Sequence, residues 1–109
     1  MDIHKGAARM SAHRDTYNGK DSIKIIGPFD SISDLLIEHV KDIAGEGKSE
    51  IVLDLSEATY MTSQGIACII KMVKNVPAGS CMFEIANANK DMIELIRLAH
   101  IDKYITFIQ

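Results

Sequence analysis

The sequence has no tryptophan, only two prolines and only two cysteines in 109 residues. Cys68 and Cys81 each sit inside an apolar segment, without metal-ligand spacing. That excludes a disulfide scaffold and a thiolate metal knot. Long apolar runs are missing as well. The longest unbroken one, Ile66-Ala67-Cys68-Ile69-Ile70, is far too short to cross a bilayer. The start, Met1-Asp2-Ile3-His4-Lys5-Gly6, contains no apolar stretch of the kind a secretory signal needs, so the expected location is cytoplasmic. A basic excess is also absent: 12 Lys and Arg stand against 15 Asp and Glu, a formal net charge of −3. Nucleic-acid binding, which calls for a basic face, is a poor match.

What is present is an ordinary globular composition, 47% hydrophobic and 25% charged. A chain this long buries about 60–70% of its unfolded surface, enough for one core. Charge is uneven along it. Lys5, Arg9, Arg14 and Lys20 outweigh Asp2 and Asp15, so residues 1–20 carry +2 and residues 21–109 carry −5. Residues 1–19 read as an N-terminal segment, either an edge strand (near Ala8–Arg14) or a mobile leader. Residues 20–109 read as the domain proper.

Within that domain apolar runs alternate with turn signals. Ile23-Lys24-Ile25-Ile26 predicts a strand stopped by Gly27-Pro28. Asp30 and Ser31 are candidate N-caps for a helix with Ile32, Leu35, Leu36, Val40 and Ile43 inward and Gly45 as its stop. Glu50 to Leu55 predicts a strand buried on both faces, followed by a turn over 56–62. Thr62 or Ser63 then caps a helix whose apolar face is Ile66, Ile69, Ile70 and Val73. Pro77-Ala78-Gly79 ends that unit. Cys81–Ala86 is a further strand, Asn89 caps a helix with Met92, Leu95, Ile96 and Ala99 inward, and Tyr104–Ile108 closes the chain as a strand. Strands and helices alternating over short links imply crossover connections, hence an α/β fold with a largely parallel sheet.

Few residues are arranged for chemistry. Gly45-Glu46-Gly47-Lys48-Ser49 ends like a phosphate-binding loop, but position 42 is Asp where that motif needs glycine, and the stretch runs from helix to strand. It reads as a polar turn. His4, His13, His39 and His100 form no zinc-type pair, and neither cysteine has a histidine nearby to activate it. Asp54, at the end of a predicted strand, is a candidate polar group at the sheet's ligand-binding edge or a turn-former. No nucleophile, base and oxyanion donors assemble, so catalytic residues, metal and cofactors are all expected to be absent.

The informative stretch is Tyr60-Met61-Thr62-Ser63-Gln64-Gly65-Ile66, with two hydroxyls at a helix N-terminus. Capping needs only one of them. The free amides and the dipole at this end also tolerate negative charge. A phosphoryl group on Ser63 would add roughly −1.5 to −2 charge without melting the helix.

Residues of about 20–109 resemble a STAS domain of the bacterial anti-sigma-factor antagonist type. The resemblance rests on Gly27-Pro28-Phe29-Asp30, on Ile51-Val52-Leu53-Asp54-Leu55-Ser56, and on Thr62-Ser63-Gln64-Gly65-Ile66 at the family's spacing. Thr62 stands where the family usually has aspartate. The resemblance implies a small, mixed but mostly parallel sheet of four to five strands with about three helices on one face. It further implies a cytoplasmic, monomeric regulator of transcription, acting in stress-type responses. Such a protein binds an anti-sigma serine kinase when bare, is switched off by phosphorylation at Ser63, and is reset by a PP2C-type phosphatase. The implied partner surface is Asp30 and Ser31 with Thr62, Ser63, Gln64 and Gly65. The glycine would keep a side chain from blocking the kinase's approach. An alternative within the family is a non-phosphorylated docking subunit of a lipid-transport or stressosome-like complex.

Overall fold

The structure is a computed structural model and describes residues 9–77 and 79–108. The chain enters through β1 (Ser11–Tyr17), which pairs antiparallel with β2 (Lys20–Phe29), Tyr17 opposite Lys20. Asn18 and Gly19 connect them with φ of 50° and 82°, the left-handed pair that a two-residue hairpin turn requires. An edge strand thus occupies residues 11–17, nearer the hairpin than the stretch Ala8–Arg14. Ala8 lies outside the described residues.

After β2 come α1 (Asp34–Gly45), β3 (Glu50–Met61), α2 (Ser63–Lys74), β4 (Met82–Ala86), α3 (Lys90–Leu98), a 3-10 turn (Asp102–Tyr104) and β5 (Ile105–Ile108). The sheet order is β1-β2-β3-β4-β5, with every pair from β2 onward parallel. Each helix is a crossover between neighbouring strands, and all the crossovers advance in one direction. Right-handed connections then place all three helices on one face. Neighbouring helices touch accordingly, α1 against α2 and α2 against α3.

That face holds the core: Ile23 and Ile25, Ile51, Leu53 and Leu55, Phe83 and Ile85 meet Leu36, Val40, Ile43, Ile69, Met72, Met92 and Ile96. The predicted two-sided burial of β3 is present, but helices supply only one side. Val52 and Asp54 alternate with the core residues and are also buried. On that second side Lys20 reaches across to Glu84 at 2.9 Å and Glu50 at 3.7 Å, and Lys24 bonds Glu57 at 3.2 Å. Paired long side chains roof this face in place of a helix.

Three sequence expectations are corrected. Strand β2 does not stop at Gly27-Pro28. It runs on to Phe29 through two register shifts, with Gly27 at φ +86°, where a Cβ would lie 2.8 Å from the Arg9 carbonyl oxygen. A bulge absorbs the missing proline donor. Strand β3 likewise runs through the predicted turn, because Glu57, Ala58 and Met61 pair with Ile26, Gly27 and Phe29 of the lengthened β2. Helix α1 is capped by neither Asp30 nor Ser31 but by Ser33, whose hydroxyl accepts from the Leu36 amide at 3.1 Å. The helix is thereby rephased. Leu36, Ile37, Val40 and Ile43 face inward, while Ile32 and Leu35 stand exposed. The other caps fall where expected, Asn89 accepting from the Met92 amide at 2.9 Å.

Candidate functional site

Lengthening β2 and β3 together has a local consequence. Their C-terminal ends finish side by side, Phe29 opposite Met61, and the Thr62 amide donates to the Phe29 carbonyl at 3.1 Å. Two connections leave the sheet from this point, residues 30–33 and the entry to α2. In open α/β sheets the C-terminal strand ends are where binding sites form.

At the entry to α2 the two hydroxyls divide the work. Thr62 is the N-cap: its Oγ1 accepts from the Gln64 amide at 3.2 Å and its carbonyl from the Ile66 amide at 3.1 Å. Ser63, the first helical residue, is exposed and makes no side-chain hydrogen bond to another described residue. Gln64 is exposed beside it. The first turn of α2 holds no acidic side chain, while Lys71 and Lys74 occupy its last turn. The helix end under Ser63 therefore keeps its positive partial charge uncompensated by its own residues.

Gly65 is buried. A Cβ there would run into the Phe29 carbonyl oxygen and lie 2.8 Å from Met61 Cγ. The fold gives this glycine an internal role. It lets the first turn of α2 sit directly on the end of β2, and so sets where Ser63 stands.

The neighbouring connection is tied to the same helix. The Ser33 amide donates to Cys68 Sγ at 3.5 Å, and burial pushes the Cys68 thiol pKa up. Asp30 is half-buried and Ser31 exposed, the Ser31 hydroxyl lying 3.5 Å from the Met10 sulfur. Asp30, Ser31, Thr62, Ser63 and Gln64 thus belong to two adjoining connections at one end of the sheet, with Gly65 beneath them. Exposed apolar side chains flank them: Ile32 on the first connection, Leu35 in the first turn of α1 and Tyr60 near the end of β3. The alternative helical phase Leu36, Ile37, Val40, Ile43, with Ser33 as cap, was the signal for exposing Ile32 and Leu35.

Asp54 has a different job. It is buried in β3 rather than poised at a strand end, and its Oδ1 accepts from the Ser56 amide at 2.9 Å and from Asn87 Nδ2 at 3.0 Å. Burial works to raise its pKa, but the bonds from Asn87 and Ser56 outweigh it and hold the carboxyl below its ordinary value. Asp54 thereby anchors the bend after β4, where Asn87 takes φ 62°. Among the described residues no cluster of His, Cys, Asp or Glu is arranged for a metal ion, and no helix is long and apolar enough to cross a membrane.

The family model described as STAS domain matches residues 18–109. Among solved structures, an anti-sigma factor antagonist from Mycobacterium paratuberculosis superposes with a TM-score of 0.69 at 14% identity, covering 91% of this chain and 85% of that one. The anti-sigma factor antagonist SpoIIAA in its unphosphorylated form superposes with a TM-score of 0.61 at 10% identity, covering 91% of this chain and 88% of that one. At such identities the likeness is one of fold.

Proposed function

The chain belongs to the STAS domain family, and from that membership we propose that it is an anti-sigma-factor antagonist switched at Ser63. The observation that carries this reading is the division of labour at α2. Thr62 alone satisfies the cap, leaving Ser63 as an exposed hydroxyl with no structural task at the positive end of a helix. The unphosphorylated protein binds an anti-sigma factor that is a serine kinase, through the two connections that carry Asp30, Ser31, Thr62, Ser63 and Gln64. In that complex Ser63 Oγ attacks the γ-phosphorus of kinase-held ATP. The new O–P bond replaces the bond to ADP, and the hydroxyl proton passes to a base on the kinase. The added charge then repels the kinase surface that accepted the bare hydroxyl. A PP2C-type phosphatase restores the hydroxyl. In this cycle the protein is substrate and binding partner, not catalyst, and it works in the cytoplasm.

Incubation with the cognate kinase and ATP, followed by peptide mass spectrometry, tests the reading. The expected result is one addition of about 80 Da, confined to Ser63. Modification at Thr62 alone, or none, would overturn it.

A further inference from the structure

We infer that a cleft at the opposite end of α2 from Ser63 binds a medium-chain monocarboxylate, its apolar tail inward and its carboxylate on Lys74. The cleft lies between the last turn of α2, the start of β4 and the 3-10 turn, with a volume of about 540 Å³. That falls within the range of roughly 300–1,000 Å³ typical of small-molecule sites. Its floor and walls are Ile70, Val73, Val76, Phe83 and Ile101, and Tyr104 stands at its mouth.

Two features fix the chemical class. The first is uncovered apolar surface. Ile70, Val73 and Val76 pack on the core yet remain only half-buried, so the cleft exposes aliphatic side chains that the fold itself does not cover. The second is charge. Lys74 lines the cleft, is exposed, and forms no ion pair with another described residue. Lys103 Nζ lies 5.2 Å from the Tyr104 ring centroid, a second cation beside a residue that lines the cleft. Among the described residues no Asp or Glu lines the cleft, although the whole chain has a net charge of −3. An aliphatic floor under a cationic rim complements a ligand with a long apolar body and one negative head. A neutral hydrocarbon would leave the rim unused, and a phosphate would leave the floor unused. Cys81, also at the cleft, directs its thiol to the Lys48 carbonyl at 3.1 Å, so binding needs no covalent step.

The cleft starts at Ile70, seven residues and roughly 10 Å of helix beyond Ser63, and Lys74 lies at the far end of α2. The inference therefore stands apart from the proposed switch.

Titration of the full chain with decanoate, followed by amide chemical shifts, tests it. Expected is a saturable one-site isotherm with shifts concentrated in residues 70–77, 81–83 and 101–104. Decanol, the neutral analogue, should bind at least about tenfold more weakly, as should decanoate to Lys74→Glu, a weight ordinary for one lost charge contact. Tyr104→Ala, a second change at an exposed position, should also weaken binding. Absence of saturation, equal affinity for decanol, equal affinity in Lys74→Glu, or shifts centred on Lys90–Leu98 would each overturn the assignment.

Discussion

The Thr62 amide donates to the Phe29 carbonyl at 3.1 Å, and the same carbonyl oxygen blocks any Cβ at Gly65. One atom at the end of β2 thus receives the cap residue of α2 and limits what its first turn can contain. The obstacle at Gly65 is main chain, which cannot swing away as a side chain would. Gly65→Ala should therefore destabilise the fold by roughly 1–3 kcal/mol, as overpacking does. Urea unfolding measures this. Phosphorylation of Ser63 in the same variant should slow, because α2 has to back away from β2 and take Ser63 with it. Unchanged stability would show that α2 is not held there.

Thr62 and Ser63 should separate cleanly under mutation. Thr62→Ala removes the acceptor for the Gln64 amide and should cost about 1 kcal/mol, while Thr62→Asp should keep most of the cap. Ser63→Ala should change stability by less than about 0.5 kcal/mol, since the hydroxyl is exposed and bonds no other described residue.

A negative group at Ser63 should act with opposite signs on folding and on binding. Next to the positive end of α2 it should raise stability by roughly 0.3–1 kcal/mol. Ser63→Asp should nonetheless bind the kinase about tenfold more weakly than the native chain, whereas Ser63→Ala should bind as well. Thermal unfolding and calorimetric titration on the same samples give both signs. Equal affinities for the two variants would remove charge as the basis of the switch.

How much of this was legible in the sequence depended on how local the deciding contact is. Asn89 and Thr62 cap their helices through bonds to residues two or three positions on, so Asn89 could be read directly and Thr62 as one of two adjacent candidates. The extents of β2 and β3 could not. Gly27-Pro28 is a stop signal by itself, and only pairing with Ala58 and Met61 carries the strand past it. Local pattern pointed to Asp30 and Ser31 as the cap of α1. Ser33 takes that place in a long-range setting, where its amide meets Cys68 from the next helix. A hydroxyl at the start of α2 was therefore readable in isolation, but its neighbourhood was not. Adjacency to Asp30 and Ser31 follows from strand register, and the need for Gly65 follows from where β2 ends.

Rephasing α1 predicts two contact residues that the stripe pattern had placed in the core. Ile32 and Leu35 are 41% and 50% exposed, on the segment beside Ser63. Glutamate at either position should leave stability within about 0.5 kcal/mol of native. If the partner covers this surface, Leu35→Glu should weaken kinase binding about tenfold or more, as loss of an apolar contact at an interface centre does. Met82→Glu is the control, exposed and apolar at the opposite end of the sheet. It should bind normally.

Acidification should expose the role of Asp54. Its carboxyl is held below the ordinary value of 3.8 by the bonds from Asn87 and Ser56. A carboxyl depressed in the folded state stabilises the fold above its unfolded pKa, and that stabilisation disappears as pH falls through the folded value. The Asp54 contribution should therefore be complete at about pH 6 and decline below 3.8. Asp54→Asn should cost about 1–2 kcal/mol at about pH 6, where the native carboxylate holds Asn87 Nδ2 and the Ser56 amide by charge-assisted bonds. Between about pH 6 and about pH 3 the variant should lose less stability than the native chain, because the titrating group is gone. Asn87→Ala should fall between them, since it removes one of the two bonds and keeps the carboxyl. Urea unfolding of the three proteins at both pH values decides the matter, and parallel losses in native and Asp54→Asn chains would assign the acid sensitivity elsewhere.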